Sequence, residues 1–153
     1  MEKLNLDFGV KEYEINGRGV LRFSPSDPGL YSRLAQLMDD LDAKQKELKR
    51  LSELQKQETD FEVAKDLLQL MDETDRFIKD RLTFVFGKEN DFDQIFDGVS
   101  TLAVASNGNW AVTNLLNALL PEIQAGAERY GRQRIDEAVT QAQKNRAQRR
   151  ATK

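Results

Sequence analysis

The sequence predicts a mainly α fold: a helical hairpin or bundle with a small N-terminal β-hairpin and a long C-terminal helix. Three observations lead there. Apolar and polar residues alternate in the first 23 residues, around an Asn-Gly turn. From Pro28 onward the apolar spacing changes to threes and fours, the period of an amphipathic helix. Charged residues are 32% of the chain against 39% hydrophobic, a balance that suits long solvated helix faces around a single core. The 153 residues make about one domain, read as a body over 1–140 and a basic tail over 141–153 that is expected to fray.

The β-hairpin is expected over 3–23. Leu4, Leu6 and Phe8 alternate with Asn5 and Asp7, and Tyr13 and Ile15 with Glu12 and Glu14. Val20, Leu21 and Phe23 follow Asn16-Gly17-Arg18-Gly19, a turn in which Asn-Gly supplies the two positive-φ positions. Strands this short need a helix or another chain to pack on. Ser24-Pro25-Ser26-Asp27-Pro28 then ends the sheet; Ser26 or Asp27 can cap a helix whose first turn holds Pro28.

Helices are expected over 28–82 and 91–140. The first carries a narrow seam, Leu30, Leu34, Leu37, Leu41, Leu48, Leu51 and Leu54, with Lys44 interrupting it. A break near Thr59-Asp60, with Asp60 as cap, separates it from a second helix bearing Phe61, Ala64, Leu67, Leu68, Met71, Phe77, Ile78 and Leu82, expected to pack back on the first. Residues 82–86 fit either a short strand or a last helical turn capped by Gly87. Asp91 can cap a short helix containing Phe92, Ile95 and Phe96. Asn107-Gly108-Asn109 is a turn, and a strong helix starts at Trp110, with a kink or a new first turn expected at Pro121.

The chain has no cysteine and no histidine. Disulfides, zinc–thiolate sites, cysteine nucleophiles and the commonest neutral-pH general base are therefore excluded. Three carboxylate clusters remain: Asp39, Asp40 and Asp42; Asp72, Glu73 and Asp75; Asp91, Asp93 and Asp97. The first two read as solvated helix faces. The third fails as a calcium loop, since Phe96 stands at the glycine position and Leu102 at the bidentate acid. Gly17-Arg18-Gly19 lacks the third glycine of a dinucleotide loop, which would fall at Arg22. No catalytic residue, cofactor or metal ligand is assigned, and the expected class is a non-enzymatic protein-binding protein.

Residues 128–153 hold eight Lys/Arg against three Asp/Glu, a net +5, which leaves −8 on the other 127 residues. Phosphates would attract Arg132, Arg134, Lys144, Arg146, Arg149, Arg150 and Lys153, but Tyr130 is the tail's sole aromatic and the sequence pI is about 5.2, so the balance argues against nucleic acid. No apolar run is long enough for a membrane span, and Met1–Asp7 lacks a signal-peptide pattern, so a cytoplasmic protein is expected. Candidate partner-binding residues are Leu34, Leu37, Leu41, Leu48 and Leu51, a seam too narrow for one small core, together with Trp110. The seam is expected either to form a groove or homo-oligomer contact, or to pack on residues 61–82 of its own chain.

The stretch Tyr13-Glu14-Ile15-Asn16-Gly17, then Phe23-Ser24-Pro25-Ser26-Asp27-Pro28 and a long helix, resembles small tail-module proteins of tailed phages and prophages of Gram-positive bacteria. Phe92-Asp93-Gln94-Ile95-Phe96-Asp97-Gly98 and the ending Ala142-Gln143-Lys144-Asn145-Arg146-Ala147-Gln148-Arg149-Arg150 resemble the same group, whose members are similar to tail assembly chaperones. The resemblance implies a helical protein in the host cytoplasm that binds the tape measure protein and keeps it soluble while the tail tube polymerises. An inhibitor of a host defence enzyme, or a structural tail component, is the alternative.

Overall fold

The computed structural model describes residues 1–57 and 61–151, without the side chains of 55, 57 and 133–136. The expected break at Thr59 and cap at Asp60 lie outside the described residues, as do Lys153 and the side chains of Arg134 and Ile135. Two strands, β1 (Lys11–Ile15) and β2 (Gly19–Phe23), are followed by α1 (Pro28–Gln57), α2 (Phe61–Phe86), α3 (Phe92–Ile95) and α4 (Ala111–Ala151). The fold is mainly helical with a small N-terminal β-hairpin and a long last helix, as the residue pattern predicts.

The hairpin begins at Lys11, not at residue 3. Residues 1–10 belong to no strand, and Leu4, Leu6 and Phe8 are exposed. The turn is as expected, with Asn16 at φ 53° and Gly17 at φ 73°. On the buried face of the sheet, Leu21 and Phe23 are covered fully or nearly so. Phe23 stacks on Tyr13 at 5.2 Å and meets the edge of Phe86 at 5.0 Å, and Phe86 in turn lies 6.2 Å from Phe92. This row of rings welds the sheet to α2 and α3.

Asp27 is the cap of α1: its carboxylate accepts the Gly29 N–H at 2.9 Å, and Pro28 opens the helix. The seam residues Leu37, Leu41 and Leu48 are buried in the same core as Ile78, Leu82 and Val85 of α2. The two helices thus form an antiparallel hairpin, and burying each such leucine contributes about 1.5–3 kcal/mol. Residues 82–86 are the last turn of α2. Gly87 follows at φ +114°, donating to the Thr83 carbonyl at 2.9 Å, so the glycine-capped alternative is the correct one.

Asp91 caps α3, accepting from Asp93 N–H at 3.0 Å and Gln94 N–H at 3.2 Å. Helix does not fill the whole of 91–140: residues 96–110 form a loop, closed by a bridge between Val104 and Trp110. Of the two alternatives at Pro121, a new first turn is not what forms: α4 runs through it, and both Pro121 and Asn117, whose carbonyl loses its helical donor, lie on the exposed face, open to solvent. Helix also continues through the basic stretch to Ala151, since Ala, Gln, Arg and Lys dominate there and all favour helix. Val112, Leu115, Leu116, Leu119 and Ile123 bury its front half. At Gly126 a Cβ would collide with the Pro25 backbone, so glycine is what lets α4 lie against the corner between β2 and α1.

Candidate protein-binding surface

Burial sorts the predicted partner residues. Leu37, Leu41 and Leu48 are 0%, 7% and 7% exposed, so these three seam residues pack within the chain's own core, where α2 supplies the matching apolar face. Leu34 is half-buried against the same core, and Leu51 is half-buried further along α1. Trp110 is half-buried, and it is brought beside Leu48.

These two residues share a groove of about 250 Å³. Leu48 of α1, Leu67 and Met71 of α2, and Leu102 and Trp110 of the 96–110 loop form its apolar lining. Gln45, Lys49 and Ser52 of α1 supply a polar rim. Towards the tip of the hairpin, α2 continues the apolar surface with Phe61, Leu68 and Met71, which are 78%, 67% and 41% exposed. Their spacing of seven and then three places them on one helical stripe. These residues were expected to pack on α1. The exposed apolar surface therefore lies mainly on α2, beside a groove that α1, α2 and the loop line together. The available signal was an excess: α2 carries more apolar residues than one buried face can absorb.

The loop half of the groove is held by a polar anchor that sequence reading missed. Asp75, on α2, accepts from the Thr101 N–H at 2.7 Å and from the Thr101 hydroxyl at 2.6 Å. Its other oxygen lies 3.2 Å from the Lys79 ammonium, which reaches Asp93 at 2.9 Å. Burial pushes the Asp75 carboxyl up, but the Thr101 and Lys79 hydrogen bonds outweigh it and hold the group below its ordinary value. Burial likewise lowers Lys79, and its two carboxylate partners reverse that to a net rise. Thr101 is fully buried, and its carbonyl accepts the Val112 N–H at 3.0 Å, which ties the loop to the start of α4.

Several of the other carboxylates have structural partners. Asp40 pairs with Arg81 at 3.1 Å, Asp42 with Lys46 at 3.0 Å, and Asp97 with Arg18 at 2.7 Å. Asp91, Asp93 and Asp97 thus serve three different partners, and among the described residues no three acidic groups converge as a metal site would require. The Arg18–Asp97 pair spans the rim of a second, larger cleft of about 760 Å³, which lies between the hairpin turn, α3 and α4.

Of the phenylalanines offered as core or sticky patch, Phe86 and Phe92 are core. Phe96 is half-buried, and Phe84 is exposed with the Arg81 guanidinium 4.6 Å over its ring. Among the described residues no helix is long and apolar enough to cross a membrane. No family model matches the chain, and no match was found among curated proteins or solved structures.

Proposed function

We propose that this chain is a non-enzymatic protein-binding protein that serves as a tail assembly chaperone of a phage or prophage, holding an amphipathic helix of the tape measure protein. One observation carries the reading: an apolar groove with a polar rim, lined by Leu48, Met71 and Trp110, runs into the exposed stripe Phe61, Leu68 and Met71. A helix laid in a groove needs this layout, because its apolar side chains require a desolvated floor and its flanks a wet edge. The likeness of the turn, cap and tail segments to tail-module proteins selects the partner.

The test is co-expression with the tape measure protein from the neighbouring genes, followed by tagged capture and mass spectrometry. The wild-type chain should retain the long helical protein, while Leu68→Asp, at a position exposed in the free chain, should lose it with an unchanged circular dichroism spectrum. Capture of a host nuclease or other defence protein instead, or equal capture by the variant, overturns the proposal.

A further inference from the structure

We infer that two copies of this chain exchange their N-terminal arms, residues 4–8 of each adding as a strand to the free edge of β1 in the other. The inference does not depend on which protein the α2 face binds. It starts from the arm itself. Leu4, Leu6, Phe8 and Val10 keep the period-two pattern of a half-buried strand, yet all four are exposed. A segment patterned for a sheet but left out of one is an unmatched half of an interface.

The other half is on the same molecule. β2 has its outer edge occupied: the buried Asn90 side chain accepts the Arg22 N–H at 2.7 Å and donates to the Arg22 carbonyl at 2.9 Å, standing in for a neighbouring strand. β1 pairs with β2 alone, so its other edge has no strand neighbour among the described residues. Beside Ile15, near the turn end of that strand, opens the larger cleft, whose lining includes the apolar Phe96, Leu115 and Ala118.

Register joins the halves. Laid antiparallel over the whole of five-residue β1, the five-residue arm 4–8 places Phe8 opposite Lys11, Leu6 opposite Tyr13 and Leu4 opposite Ile15. Directly opposed residues share a face of the sheet. The arm's apolar residues then fall on the face of Tyr13 and Ile15, which packs on the core, and Leu4 comes beside the cleft. Asn5 and Asp7 fall on the solvent face beside Glu14 and Glu12. Arg22, which pairs with Glu12 at 3.1 Å, offsets the charge of the Asp7–Glu12 juxtaposition.

A second copy is the occupant because the chain's own arm starts in the wrong direction. Gly9 (φ +69°) sits on the corner after β2, where a Cβ would lie 3.3 Å from Ser26 Oγ and 3.5 Å from Ser24 Oγ. Asp7 folds back to accept the Gly9 N–H at 2.8 Å. The root of the arm is therefore seated on the β2 side, away from the edge that its register fits. An open arm and a self-complementary edge on one chain give a closed, two-fold exchange.

The chain has no cysteine, so a disulfide trap reads the register directly. In the full chain, Asn5→Cys with Glu14→Cys puts one thiol on each solvent-facing position of an opposed pair. Mild oxidation should give a covalent dimer on a non-reducing gel, while the off-register pair Asn5→Cys with Glu12→Cys should link several-fold less. An intramolecular link means that the arm closes on its own chain and overturns the exchange. Free thiols in both variants, or equal linking by both, overturn it as well. In the cysteine-free chain, light scattering should give the mass of a dimer, and Leu6→Asp should halve it with the circular dichroism spectrum unchanged. A wild-type monomer at tens of micromolar overturns the proposal.

Discussion

Replacing Asp75 by Asn removes one charge from the anchor that holds the 96–110 loop to α2. The Asn oxygen still accepts from Thr101, but two charge-assisted bonds become neutral ones and the Lys79 ammonium keeps only Asp93. A hydrogen bond to a charged group contributes about 1.5–3 kcal/mol and a neutral one about 0.5–1.5, so the loss is about 2 kcal/mol. Asp75→Ala leaves the Thr101 N–H and hydroxyl without this acceptor, and the loss rises to about 4 kcal/mol. The assay is urea unfolding at pH 7, followed by circular dichroism for the helices and by Trp110 fluorescence for the loop. A 2 kcal/mol loss moves the midpoint down by about 1 M urea.

The acid limb tests the same anchor independently. The folded-state pKa of Asp75 lies below its ordinary value of 3.8. Its contribution is therefore present above the unfolded pKa and is lost as pH falls through the folded one. Stability of the wild type should drop more steeply below about pH 4 than that of Asp75→Asn, which has no proton to take up there. If Asp75→Asn unfolds within about 0.5 kcal/mol of wild type at pH 7, or keeps the wild-type acid dependence, the anchor is not what holds the loop.

Three further outcomes are expected. Leu41→Glu with Leu48→Glu should abolish the folded state instead of releasing a folded monomer, since each places a carboxylate in the α1–α2 core; loss of helical circular dichroism checks this. Thr74 is 1% exposed and its hydroxyl has no hydrogen-bond partner among the described residues, so Thr74→Val should raise stability by about 1 kcal/mol, read as a later urea midpoint. Gly126→Ala gains about 1 kcal/mol of helix propensity but meets the Pro25 backbone, so a net loss of about 1–2 kcal/mol in thermal unfolding is expected.

Much of this architecture is legible in the residues because it rests on local rules. Asn16-Gly17, Asp27-Pro28 and Asp91 each satisfy a local backbone demand and the structure uses them in the expected way, while Gly87 takes the helix-capping one of its two alternatives. What was not legible depends on distant partners. Leu41 and Leu68 are both leucines on amphipathic helices; only the packing of α1 on α2 makes the first core and leaves the second exposed. Asp75 and Asn90 look like ordinary polar residues until Thr101 and Arg22 are brought against them from 26 and 68 residues away. The alternation of Leu4, Leu6 and Phe8 predicts a strand, but the structure places residues 1–10 in none, because a strand needs a paired neighbour as well as a pattern.

The length of α4 has a kinetic consequence. At 41 residues the helix spans about 60 Å, yet its buried positions end at Gly126, and residues 137–151 are exposed throughout. Amide protons in the front half can exchange with solvent only when the body opens, whereas those near the end exchange through local opening at far lower free energy. One continuous helix should thus show a steep gradient of deuterium uptake along its axis. Trypsin should trim the arginine-rich end well before it cuts the body, leaving a shortened chain whose melting is unchanged.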